Sequence, residues 1–292
     1  MARPSGPIKV LDGGLGTELI INGQQLPEHI WSAHTNLNNP ELLLRIHKSF
    51  IRAGAQYITT NTFRTTQRAY AKTGLSDTDA KISARNSLAA AVDIANQASN
   101  GSVKVMGSIA PLEDCYRPDL YPGSHDALYE FGVIGSLLND AGVDGFLIET
   151  MNNIDEAESC LSAVKDFHKP VWIGFNLSSP ASLLSGEPLK EALALAHNNG
   201  AECILLNCNP LELTLDALDL LSESVRCEWG IYPNLGLGLP SPDGKISELD
   251  SDENLLSLVE SAVEKGASVI GGCCGSSPRH IGLISNYLSK YC

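Results

Sequence analysis

The sequence predicts an α/β fold, a single (β/α)8 TIM barrel, on three observations. Eight short β-rich runs alternate with eight longer stretches of helical periodicity. The β-rich runs are continuously apolar, as expected for parallel strands buried on both faces. Helices lead back into strands through short glycine-centred turns at 53–55, 141–143 and 265–268, where glycine supplies the left-handed cap of a helix.

In chain order the expected strands are 8–13 (IKVLDG), 56–62 (QYITTNT), 103–109 (VKVMGSI) and 144–150 (DGFLIET). They continue with 170–177 (PVWIGFNL), 203–208 (CILLNC), 229–234 (WGIYPN) and 268–273 (SVIGGC). The first long helix opens at Pro40, a residue suited to an initial helical turn, and closes at Gly54. The alanine-rich stretch 77–98 is expected to be helical with Asp77 as its N-cap. Comparable patterns cover 124–141, 155–167, 188–199, 211–225, 252–265 and 278–290. No linker interrupts the series, so one barrel domain is expected over 1–292. The rival is an open doubly wound sheet, but DGGLGTEL lacks the GxGxxG spacing of its phosphate loop.

The composition suits a large core, with 43% hydrophobic and 18% charged residues. A net charge of −14 with no basic stripe argues against nucleic acid as a partner. No apolar run reaches the roughly 18 residues that a membrane helix needs. MARPSGPIKV has no apolar stretch of a secretory leader, and SKYC misplaces its cysteine for prenylation, so a cytoplasmic location is expected. Of the eight cysteines, Cys115, Cys160, Cys203, Cys227 and Cys292 sit among ordinary neighbours and read as small buried hydrophobes. The seven histidines, His29, His34, His47, His125, His168, His197 and His280, lie in helical or loop contexts and read as surface or structural.

Barrel active sites gather where strands end. The strand ends carry Asp12-Gly13-Gly14, Thr60-Asn61-Thr62, Ser108 to Pro111, Glu149-Thr150, Asn176, Asn207-Cys208-Asn209, Pro233-Asn234 and Gly272-Cys273-Cys274. Three thiolates without a nearby histidine favour zinc, and three protein ligands leave one position open for chemistry. Adjacent strand residues face opposite ways. Both members of the Cys273-Cys274 pair therefore reach one metal only if the chain turns sharply, for which Gly271, Gly272 and Gly275 are available. Buried free thiols and a strained vicinal disulfide are the alternatives on spacing alone. Asp12 could cap a turn through its own side chain. Glu149 follows the apolar run GFLI, where a carboxylate is costly without a partner.

DGGLGTEL, Asn207-Cys208, YPNLG at 232–236 and GGCCG at 271–275 together resemble, in order and over nearly the whole chain, the homocysteine S-methyltransferases. These are zinc-dependent barrels related to betaine–homocysteine methyltransferase. The resemblance implies Cys208, Cys273 and Cys274 as ligands of Zn2+, with the homocysteine thiol in the open position. It implies Asp12 and Glu149 as partners of the homocysteine amino group, and the backbone at Gly13 and Gly14 as receiver of its carboxylate. Asn207 and Asn234 complete the expected substrate contacts. Trp31 matches an aromatic placed near the onium donor. Arg64 stands where the betaine enzymes carry tyrosine, and their long C-terminal arm has no counterpart. The resemblance thus implies S-methylmethionine as methyl donor, or S-adenosylmethionine, with no cobalamin or folate module. Selenocysteine methylation and a non-catalytic zinc-binding sensor barrel are the alternatives.

Overall fold

The computed structural model describes residues 6–238 and 245–291. Its strands are β1 (Lys9–Val10), β2 (Tyr57–Thr59), β3 (Lys104–Ile109), β4 (Gly145–Met151) and β5 (Val171–Phe175). A small antiparallel hairpin, β6 (Leu177–Ser179) and β7 (Ser182–Leu183), follows. The chain then forms β8 (Cys203–Pro210), β9 (Glu228–Asn234) and β10 (Val269–Ile270). Eight of these pair in the order β1-β10-β9-β8-β5-β4-β3-β2, parallel throughout. The ring closes where Leu11 bridges Tyr57, through Asp12 N–H to Tyr57 O (3.0 Å) and Gln56 N–H to Val10 O (2.8 Å). Closure excludes the open sheet.

The barrel has two apolar layers. Leu11, Met106, Leu147, Trp172, Cys203, Leu205, Tyr232 and Val269 form an inner cluster. A larger cluster packs the strands' other faces against the helices. The period of two is visible in β8, where Cys203 and Leu205 are inner and Ile204 and Leu206 outer.

All eight expected helices are present, from Pro40–Arg52 and Asp77–Ser99 to Pro278–Leu288. The N-cap of Asp77–Ser99 is Ser76, not Asp77: its hydroxyl accepts from Asp79 N–H at 3.2 Å. Three shorter helices, Leu15–Ile21, Ala33–Asn38 and Gln67–Ala71, were not expected. At five to seven residues they are too short to stand out as periodic patterns. Strands β1, β2 and β10 are shorter than their apolar runs. Their last residues leave the ladder to form the barrel mouth while still bonding neighbouring backbone, as Gly272 N–H does to Asp12 O (3.0 Å).

Two strands end in bulges that position the site. Register breaks between Ile148 and Met151 in β4 and between Asn207 and Pro210 in β8. Thr150 (φ 54°) and Cys208 (φ 55°) take the left-handed conformation that non-glycine residues rarely adopt. The bulges are clasped together: Asn207 Oδ1 accepts the Thr150 N–H at 2.8 Å. The clasp spans β5 at Gly174, where a Cβ would lie 2.5 Å from Asn207 Oδ1 and 2.8 Å from the Tyr232 hydroxyl. Gly174→Ala is therefore expected to destabilise the fold by about 1–3 kcal/mol. Gly132→Ala, in an open position on the helix Ser124–Asp140, should stabilise by about 0.5–1 kcal/mol. Denaturant unfolding of both variants checks the contrast.

Candidate metal and substrate site at the barrel mouth

Cys208, Cys273 and Cys274 meet at the barrel mouth, their sulfurs all within 4.8 Å of one another. Cys208 and Cys274 Sγ are 3.5 Å apart. The strand alternation that puts residues 203 and 205 inside would send Cys208 outward. Its left-handed backbone reverses that, so Asn207 and Cys208 both serve the inner side. Cys273 is the end residue of the inward series Val269, Gly271, Cys273. A reverse turn follows, closed by Ser276 N–H to Cys273 O at 3.0 Å with Gly275 (φ 77°) in its third position. Of the glycines around the pair, this one supplies the sharp turn. Gly271 and Gly272 have ordinary φ and act through size instead: a Cβ would meet Leu11 Cβ at 2.7 Å in the first case and the Ser276 side chain in the second. Both members of the pair are free thiols, so the vicinal disulfide is absent.

The thiols share ionisation. Hydrogen bonds from Cys273 and Cys274 hold the Cys208 thiol well below its usual range. The same bonds to Cys208 push the Cys273 and Cys274 thiols up. Three thiols this close cannot all be thiolates without a cation among them. Tetrahedral zinc with Zn–S bonds of about 2.3 Å would separate its sulfurs by roughly 3.8 Å, a spacing this triad fits.

Two carboxylates sit beside the triad. Asp12, 2% exposed, accepts from Thr59 N–H at 2.8 Å and from the Thr59 hydroxyl. Burial pushes its carboxyl up to about 8, against the lowering effect of those bonds. Glu149 accepts from the Ser108 hydroxyl, and burial, with a contribution from Cys208, pushes it up to about 7. Among the described residues neither carboxylate has an ion-pair partner. Both await a positive charge.

A cavity of about 710 Å³ opens over these groups. Gly13, Gly14 and Trp31 line it, as do Asp12, Glu149 and the three cysteines. Gly14 backs onto the Cys273 carbonyl with no room for a side chain, and its N–H is held by Ser276 Oγ at 2.9 Å. Trp31 adopts φ 46°, and its indole fits over Gly16, where a Cβ would lie 2.9 Å from Nε1. Left-handed Trp31, Thr150 and Cys208 all belong to the mouth, consistent with strain held at a working site.

Two expected substrate contacts are held back from the cavity. Asn207 is committed to the clasp with Thr150, and Asn234 accepts the Gly236 N–H at 2.8 Å. Neither lines the cavity. Conversely, Cys115 is not an isolated core thiol. It lines the cavity beside Tyr116, whose hydroxyl is 3.8 Å from Cys208 Sγ. Phe63, Tyr232 and Ser108 also line it. Ser108 was marked by its strand-end position; loop residues Cys115 and Tyr116 had no such signal. Among the histidines, His47 is fully buried, which pushes its ring down to about 4. His280 caps its own helix, and exposed His29 lies on the cavity rim. Cys292 lies outside the described residues.

Comparison with known proteins agrees with this geometry. The family model described as homocysteine S-methyltransferase matches residues 9–288. The homocysteine S-methyltransferase of Escherichia coli (strain K12) is 30% identical, over 94% of this chain and 93% of its own length. A selenocysteine methyltransferase of Astragalus bisulcatus is 27% identical, over 98% of this chain and 94% of its own. Among solved structures, the metallated form of the homocysteine methyltransferase MmuM from Escherichia coli superposes with a TM-score of 0.84 at 26% identity, covering 97% of this chain and 96% of that one. With the fold, the thiol triad and the matched span in agreement, the chain belongs to the homocysteine S-methyltransferase family.

Proposed function

We propose that this methyltransferase moves a methyl group from an amino-acid sulfonium, S-methylmethionine or S-adenosylmethionine, to homocysteine, forming methionine, with zinc held by Cys208, Cys273 and Cys274. The observation that carries this reading is the triad of sulfurs within 4.8 Å, set beside two buried carboxylates without a counter-charge among the described residues. Zinc held by Cys208, Cys273 and Cys274 would make a fourth, coordinating thiol a thiolate at neutral pH. Asp12 and Glu149 supply the negative charge that receives the acceptor's ammonium group. The Gly13-Gly14 backbone receives its carboxylate, which displaces the Ser276 hydroxyl from the Gly14 N–H. Asn207 acts from behind, holding the Glu149-Thr150 bulge, and Asn234 does the same for the turn at Gly236. Trp31 offers an aromatic face to the sulfonium.

The transfer step balances without a base. The acceptor sulfur forms a bond to the methyl carbon as the donor's C–S bond breaks. That electron pair stays on the donor sulfur, which leaves as a neutral thioether. The thiol proton has already passed to solvent, so the protein's remaining task is alignment. The reading places the enzyme in a reducing cytoplasm, where its free cysteines persist. The match to a selenocysteine methyltransferase supports a second acceptor, because a selenol fits the same thiol position.

Metal analysis of purified protein should find about one zinc per chain, and Cys273→Ser should lose both the metal and methionine formation. Zinc-free protein that still makes methionine would end the proposed mechanism. A panel of S-methylmethionine, S-adenosylmethionine, betaine and methylfolate should give methionine only with the two sulfonium donors. Competition between homocysteine and selenocysteine at equal concentration ranks the acceptors.

The carboxylates give a separate pH test. Folded protein keeps protons on Asp12 up to about pH 8 and on Glu149 up to about pH 7. An unfolded chain releases them near pH 4. Across that window the native state binds more protons, so these groups make stability fall as pH rises. The melting temperature of substrate-free Asp12→Asn should therefore fall less from pH 5 to 8 than that of wild type. Parallel curves would show that Asp12 does not stay protonated in the fold.

A further inference from the structure

The acceptor's charges are provided for by Asp12, Glu149 and the Gly13-Gly14 backbone, but the donor in this reading is a second amino acid with a carboxylate of its own. Three long cationic side chains line the cavity: Arg64, Lys72 and Arg117. Lys72 pairs with Glu113, and Arg117 pairs with Asp119. Arg64 has no carboxylate within ion-pair distance among the described residues. It is half-buried, and its guanidinium carbon stands 4.9 Å from the centre of the Phe63 ring. Nη1 is engaged, donating to Pro111 O at 2.9 Å and Glu113 O at 2.6 Å. Those bonds fix the plane of the guanidinium. The opposite edge, Nε–H and one Nη2–H, makes no bond to a described residue. That edge is a two-pronged donor matching the spacing of carboxylate oxygens.

We propose that Arg64 receives the α-carboxylate of the methyl donor and selects amino-acid sulfoniums over donors without that group. The assignment rests on the sulfonium reading above. Charge, geometry and position agree: the fork is pre-oriented by two carbonyls, has no carboxylate at ion-pair distance among the described residues, Glu156 acting on it only from further off, and is part of the same cavity wall as the aromatic side chains of Trp31 and Phe63.

Steady-state kinetics on zinc-loaded protein test it with S-methylmethionine and its α-methyl ester, which keeps the ammonium and sulfonium but loses the carboxylate charge. Arg64→Gln should raise KM for S-methylmethionine roughly 10- to 100-fold, as expected for loss of a charge-assisted bidentate pair. The homocysteine KM should hold within about twofold, since ground-state contacts to the acceptor are untouched. The wild-type preference for the free acid over the ester should disappear in the variant. Arg64→Lys keeps the charge without the fork and should fall between the two, with a melting temperature near that of wild type. Equal loss for acid and ester would make Arg64 only an anchor for the 111–113 backbone and overturn the proposal. So would a KM increase confined to homocysteine, which would assign the fork to the acceptor. If wild type takes methyl from neither S-methylmethionine nor S-adenosylmethionine, the donor reading itself fails, before any variant is compared.

Discussion

The geometry of the mouth depends on one buried hydrogen bond, from the Thr150 N–H to Asn207 Oδ1. Each end of that bond belongs to a bulge. One bulge presents Glu149, and the other turns Cys208 inward. Left-handed backbone at threonine or cysteine is unfavourable by about 1–3 kcal/mol per residue, so neither conformation persists without surroundings that impose it. Gly174 leaves the space through which Asn207 reaches. The arrangement is not fully satisfied: Asn207 Nδ2 and the Tyr232 hydroxyl are buried without a partner among the described residues. Such groups are costly in a core.

The site's electrostatics follow from its residue types. Three thiols and two carboxylates share the mouth, and every one of them gains a negative charge on losing its proton. Burial pushes the two carboxyls up, while the hydrogen bonds among the thiols lower Cys208 and raise Cys273 and Cys274. In the proposed reading a metal ion and an ammonium group would meet the sulfurs and the oxygens of this proton-holding set, and a sulfonium the aromatic wall beside it. The chain's net charge of −14 says little about this, because the groups that matter are buried ones whose ionisation depends on what binds.

Much of the barrel was legible in the sequence because its strands are buried on both faces and its helices are long. The eight apolar runs and eight helical stretches needed no tertiary information to be recognised. What failed had local causes. Helices of five to seven residues, such as Gln67–Ala71, carry too little periodicity to see. The ends of β1, β2 and β10 were read too long because residues such as Asp12 and Thr60 to Thr62 leave the ladder to form the mouth. Cys208 was expected among the three thiols at the mouth, but the left-handed turn that brings it there leaves no mark in composition. Asn207 and Asn234 were near the site as expected, but their amide oxygens accept backbone N–H groups. Tyr116 and Cys115 came as a surprise, because a loop residue's reach is fixed only when the loop folds.

The placement of β10 has a consequence for how the molecule assembles. Its two residues, the last strand of the chain, are the keystone between β1 and β9. Cys273 and Cys274 hang directly from that keystone, 65 and 66 residues beyond Cys208 in sequence. A nascent chain that has made seven barrel strands therefore holds one of the three sulfurs in place and has an open seam. Sealing the seam and completing the triad are the same event. Any ion that prefers three sulfurs to one will favour the closed ring by that difference in affinity, so metal supply and barrel integrity become linked quantities.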